Sequence, residues 1–143
     1  MIYDFKLKQP TIPNLTPMRM NENNAGLAAE KLAATFLADQ GLKLLVQNYH
    51  CRFGEIDLIM QDGKSLVFVE VKLRASSQFG GAAASITRQK QQKLILTAQH
   101  YLQTYAGKIA DPACRFDAIL MHSKILKNTD LQQIEWIRNA FET

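Results

Sequence analysis

Residues 66–69 read Leu-Val-Phe-Val, apolar at every position and hence on both faces of any strand they form. A strand of that kind is a central one, covered on both sides. The run continues as Glu70-Val71-Lys72, and residues 54–59 just before it read Gly-Glu-Ile-Asp-Leu-Ile. An unpaired charge in such surroundings costs several kcal/mol unless it is matched or bound to a metal. An Asp on one strand and Glu-x-Lys on the next therefore need partners or a purpose.

Periodicity and punctuation place this hairpin in a larger order. Residues 26–40 are rich in strong helix formers and are followed by Gly41, the expected residue just past a helix. Strands are expected at 42–49, 55–61 and 66–73, with Asp62-Gly63 as turn chemistry between the last two. A small-residue loop at 75–85 leads to a long helix over 86–105. Gly107 and Pro112 punctuate its exit, and 115–122 and 133–138 read as two further strands. The order αβββαββ indicates an α/β or α+β fold, with a mixed five-stranded sheet flanked by helices rather than repeating βαβ units.

Residues 1–24 carry three prolines and four asparagines without a sustained period, and are expected to be a flexible leader to one domain spanning 25–143. Met18 and Met20 stand just before the first periodic segment, so one of them is expected to serve as the start in the cell. An intact native mass beginning at Met1 would exclude that.

At 143 residues and 47% hydrophobic content, the chain is long enough for one core. A formal charge of +4 suits a polyanionic partner without proving one. Cys51 and Cys114 form no CxxC, and His50, His100 and His122 are spaced unlike a zinc site. No window approaches the ~20 apolar residues of a membrane span, and no secretory signal is visible, so a cytoplasmic protein is expected.

Alternation puts Glu55, Asp57 and Ile59 on one side of their strand and Ile56, Leu58 and Met60 on the other, while Glu70 and Lys72 share a side. A four-residue loop at 62–65 sets Asp57 opposite Glu70 and Glu55 opposite Lys72. A two-residue loop at Asp62-Gly63 shifts the register by one pair but keeps all four on one face. On a helical wheel Glu30 lies away from Lys31, Thr35 and Asp39, among Leu27, Ala33, Ala34 and Leu37. Lys90 shares a face with Ile86, Leu94, Tyr101 and Tyr105. Taken singly, each charge has an ordinary explanation, such as a solvated cross-strand pair or a Glu30–Lys90 bridge. Their convergence on one patch favours a site.

These residues resemble the YraN-like family, small bacterial proteins related to archaeal Holliday junction resolvases within the PD-(D/E)xK, or restriction-endonuclease-like, superfamily. The resemblance is carried by Gly26-x-x-x-Glu30, Asn48-Tyr49, Gly54-Glu55-Ile56-Asp57-Leu58-Ile59, Val67-Phe68-Val69-Glu70-Val71-Lys72-x-Arg74, Phe79-Gly80, Lys90 and Arg115-Phe116-Asp117. Ile56 stands where the superfamily's name motif has proline. The resemblance implies that Asp57, Glu70 and Glu30 hold a metal, that Lys72 is the catalytic lysine, and that Lys90 is an auxiliary residue from the second helix.

Hard oxygen donors select Mg²⁺ or Mn²⁺. The expected function is a metal-dependent endonuclease hydrolysing DNA, with branched DNA the expected substrate by analogy with the resolvases, and an enzyme cutting two strands is expected to work as a homodimer. Arg52, Arg74, Arg88, Lys93 and Arg115, with the loop at 76–84, are the candidates for phosphate contacts. The alternatives are a nucleic-acid-binding module that keeps the fold without turnover, and a structural protein with a buried ion-pair network.

Overall fold

The computed structural model describes residues 22–74, 86–105, 112–122 and 134–143. Most of the expected leader and the loop at 75–85 lie outside the described residues. The elements run α1 (Glu22–Asp39), β1 (Lys43–Cys51), β2 (Gly54–Asp62), β3 (Ser65–Arg74), α2 (Arg88–Tyr105), β4 (Cys114–His122) and β5 (Ile134–Phe141), in the expected αβββαββ order. Because α1 begins at Glu22, residues 22–24 belong to the helix rather than to the leader.

A Schellman motif closes α1. Leu42 N–H donates to Leu37 O at 3.0 Å and Gly41 N–H to Ala38 O at 3.0 Å. Gly41 takes the left-handed φ of 98° that this turn requires. Leu37 and Leu42 are both buried, so the end of the helix is also held by apolar contact.

The sheet is mixed and ordered β1-β2-β3-β4-β5. Its only parallel pair, β3 with β4, is joined through α2, while the other neighbours are antiparallel. β3 is central, as its apolar run requires. Val67 and Val69 face a layer built with Ala29, Ala33 and Leu37 of α1, and Leu66 and Phe68 face a second layer with Leu94, Ala98 and Tyr101 of α2. Each layer removes large aliphatic side chains from water at about 25 cal/mol per Å².

Two wheel assignments differ from expectation. Leu27 and Tyr105 are each 52% exposed rather than turned into the core. A third difference concerns the hairpin. Its register, Leu58↔Val69 through Asp62↔Ser65, is the one that sets Asp57 level with Glu70. Ile56, however, packs with Ile59 in the α2 layer rather than with Leu58 and Met60. Strict alternation fails at this level because Asn48, the β1 residue between the pairs Gln47↔Leu58 and Tyr49↔Ile56, has a left-handed φ of 55°.

Candidate active site

The site forms where the sheet opens. Main-chain pairing of β2 with β3 stops at Leu58↔Val69. Two residues further along β3, the Val71 N–H donates not to a strand carbonyl but to Asp57 Oδ2, at 2.8 Å. Asp57 thereby satisfies a donor that the parted ladder would otherwise strand. Burial raises its carboxyl above the ordinary range, against the pull of the Val71 N–H, a Glu30 hydrogen bond and the Lys90 charge.

Glu30 reaches this point from α1. Its carboxyl is pushed up to about 7, first by burial, then by the Asp57 charge and a hydrogen bond to Asp57, with an Asn48 hydrogen bond acting the other way. The hydrogen bond between the two acts in opposite directions, raising Glu30 and lowering Asp57. Glu30 Oε2 is buried with no hydrogen-bond partner.

Glu70 and Lys72 follow from β3. Glu70 is only 8% exposed. Its carboxyl is also pushed up to about 7, by burial and then by Asp57, while Lys90 and Lys72 pull it down. Lys90 Nζ lies 3.5 Å from Glu70 Oε1. Thr87 caps α2 by accepting the Lys90 N–H at 3.1 Å, which fixes the first turn and aims Lys90 at the sheet.

Glu30, Asp57, Glu70, Lys72 and Lys90 are thus brought together from α1, β2, β3 and α2. Glu55 stands apart: its side chain is 55% exposed and pairs with His50 Nδ1 at 3.3 Å, though its charge still raises Glu30 and Asp57. The sequence reading gave no role to Asn48. The signal lay in a polar residue at the middle of a mostly apolar strand.

The candidate phosphate contacts divide. Arg52, Arg88 and Lys93 are exposed. Half-buried Arg74 ends β3 beside His122 of β4. Arg115 is placed differently from expectation, level with Val67 and toward the opposite end of the sheet. Its guanidinium meets Asp62 at 2.9 Å and Asp117 at 3.1 Å, which makes it a brace between β2 and β4. Asp117, 1% exposed, also accepts Trp136 Nε1–H and the Asn139 N–H, each at 3.0 Å.

An oxygen-only donor set with one orphaned carboxylate oxygen fits a hard divalent cation, which is typically held by one or two carboxylates and keeps several waters. Among the described residues, no three His, Cys, Asp or Glu side chains are gathered as a ready-made cage. Asp57 with Glu70, or with Glu30, supplies the one or two carboxylates needed. Among the described residues, no helix is long and apolar enough to cross a membrane.

The family described as "Uncharacterised protein family UPF0102" matches residues 29–121, a span that contains every residue of the cluster. A UPF0102 protein of Nitrosomonas europaea is 56% identical over 119 residues, covering 83% of this chain and 94% of that protein. One from Psychromonas ingrahamii is 52% identical over 120 residues, covering 84% and 91%. Another, from Janthinobacterium sp., is 47% identical over 131 residues, covering 92% and 98%. With a family match over residues 29–121 and about half the residues identical to relatives over most of the chain, the chain belongs to the UPF0102 family, the YraN-like group that its motifs resemble.

Proposed function

We propose that this protein is a Mg²⁺- or Mn²⁺-dependent endonuclease that hydrolyses DNA phosphodiester bonds, with branched DNA as its preferred substrate. One observation carries the reading. At a break in the sheet Asp57 of β2 interacts with both Glu30 of α1 and Glu70 of β3, with Glu30 and Glu70 both pushed up to about 7 and Lys90 3.5 Å from Glu70. A purely structural ion-pair cluster would match each acid with a base. Here the acids outnumber what the lysines neutralise, as expected of groups awaiting a cation.

Asp57 and Glu70 would hold the ion, with Glu30 closing the site from α1. When bound, the cation offsets negative charge on the phosphate and acidifies a water. Asp57 is held in place by the Val71 N–H, which occupies only one of its two carboxylate oxygens. Lys72, two residues after Glu70 on the same strand face, orients the attacking water and takes part in its deprotonation. Lys90 draws Glu70 back toward its ionised form, against burial and the Asp57 charge. Arg52, Arg88, Lys93 and Arg74 meet the backbone on either side, since the acidic centre itself repels it. Cutting both strands of a junction takes two such centres, so the working unit is a homodimer.

The test incubates the protein with linear, single-stranded and four-way-junction DNA in Mg²⁺ or Mn²⁺, beside Asp57→Asn and Glu70→Gln. Metal-dependent cleavage absent from both variants supports the reading. Binding without cleavage on every substrate points instead to a nucleic-acid-binding module. Neither binding nor metal stabilisation leaves only a structural cluster.

A further inference from the structure

The turn between β1 and β2 consists of Arg52 and Phe53, closed by the pair Cys51↔Gly54. Gly54 has φ 146°, and a Cβ there would lie 3.3 Å from Thr97 Oγ1, so the turn is seated directly on α2. Phe53 is half-buried, and its ring packs outside both core layers. It meets the His100 ring edge-on at 6.2 Å, and the Arg52 guanidinium lies 4.7 Å over its face. His100 is itself held, because its Nδ1 hydrogen-bonds the Tyr49 hydroxyl at 2.5 Å.

Burial in the core does not explain an aromatic ring at a hairpin tip, and the seat that fixes it is built from a glycine, a threonine and a braced histidine. Arg52 on the turn is exposed, and so is Lys93, which lies against Gly54, while the nearby acid Glu55 is paired with His50. Gly54 precedes Asp57 by three strand residues, roughly 10 Å at ~3.3 Å each. The tip therefore lies at the same end of β2 as the carboxylates, within a few nucleotides of any phosphate held there.

We infer that Phe53 is a stacking platform for an unpaired nucleobase of the DNA strand entering the site, with Arg52 and Lys93 on the flanking phosphates. The inference rests on the nuclease reading for its substrate, but concerns binding alone. A flat π-face takes any base that is free of its partner, and an intact duplex offers none. Phe53 thus supplies discrimination for branched, flapped or single-stranded DNA without base-specific hydrogen bonds. Arg52 rests on the ring when no base is there and swings to a phosphate when one is.

The experiment measures binding in EDTA, where no cleavage intervenes, by anisotropy on a plain duplex and on a flapped duplex, with 2-aminopurine in the flap as a stacking reporter. Phe53→Ala is expected to weaken flap binding by about 10-fold or more, with less than about 2-fold change on the duplex, and to relieve the quenching of 2-aminopurine. Phe53→Leu keeps apolar bulk and should fail likewise, whereas Phe53→Trp should restore both signals; unchanged thermal melting certifies the folds. Equal losses on both substrates, full flap binding by Phe53→Leu, or no binding of either DNA would overturn the inference. If the wild type never cuts in Mg²⁺ yet Phe53→Ala still loses flap binding selectively, the platform stands and the catalytic reading alone fails.

Discussion

Asp57 Oδ2 accepts the Val71 main-chain N–H at 2.8 Å, so a side chain of β2 does what a main-chain carbonyl does elsewhere in the β2–β3 ladder. The acid is both a candidate ligand and a structural acceptor. Asp57→Asn keeps an acceptor oxygen and removes a charge facing Glu30 and Glu70. It should melt no lower than wild type near pH 8, while losing any metal-dependent cleavage. Asp57→Ala strands the buried N–H, at about 1–3 kcal/mol, and should melt lower than Asp57→Asn. Differential scanning calorimetry of the two variants side by side checks the order, and the reverse order would contradict the double role.

Glu30 and Glu70, both pushed up to about 7, retain protons in the folded chain at pH values where the unfolded chain has released them. The stabilisation this gives is full below about 4.5, the ordinary glutamate value, and is lost as pH rises to about 7. Without metal, the melting temperature should fall by about 3–6 °C between about pH 5 and pH 8, a figure discounted for the partial exposure of Glu30. Millimolar Mg²⁺ at about pH 8 should reverse much of the fall, since ion binding favours the folded state. A melting temperature that is flat with pH, or indifferent to Mg²⁺ and Mn²⁺, counts against a carboxylate metal site.

Lys90 pulls Glu70 down from 3.5 Å. Lys90→Met should therefore move the Glu70 titration above about 7 and steepen the loss of metal-free stability toward alkaline pH. Carbon-13 NMR of labelled glutamate carboxyls reads the shift directly. A Glu70 titration that does not move would place the Lys90 charge elsewhere.

The buried Asp117 gathers Arg115, Trp136 and the Asn139 main chain onto one carboxylate. Asp117→Ala leaves three donors without an acceptor and should cost about 3–5 kcal/mol, with Asp117→Asn less severe. Urea unfolding followed by the fluorescence of Trp136, the single tryptophan, measures both, and a loss under about 1 kcal/mol for the alanine variant would refute the anchoring role.

The residues legible in the sequence are those fixed by rigid periodicities. Two-residue alternation puts Glu70 and Lys72 together, and the 100° helical step turns Glu30 and Lys90 inward. The central place of β3 follows from four consecutive apolar residues. What sequence did not reveal depends on partners brought from elsewhere or on local backbone choices. Arg115 reads as a free surface cation until Asp62 arrives from another strand. The slip of alternation at Ile56 depends on a left-handed φ at Asn48, which asparagine tolerates but does not dictate. The helical state of residues 22–24 is hidden by asparagines that favour turns in isolation.

The parted ladder at Asp57 bears on how such a chain can change over generations. Drift that replaces Asp57 with a residue lacking an acceptor loosens the sheet, so selection for a folded chain guards an acceptor at this position whatever the site does. Among the described residues, Glu70 has Lys90 as its partner and accepts no main-chain N–H in this way. Under the proposed function, a member of the lineage that had abandoned the chemistry would show it first at position 70, and at 57 only by exchange to asparagine.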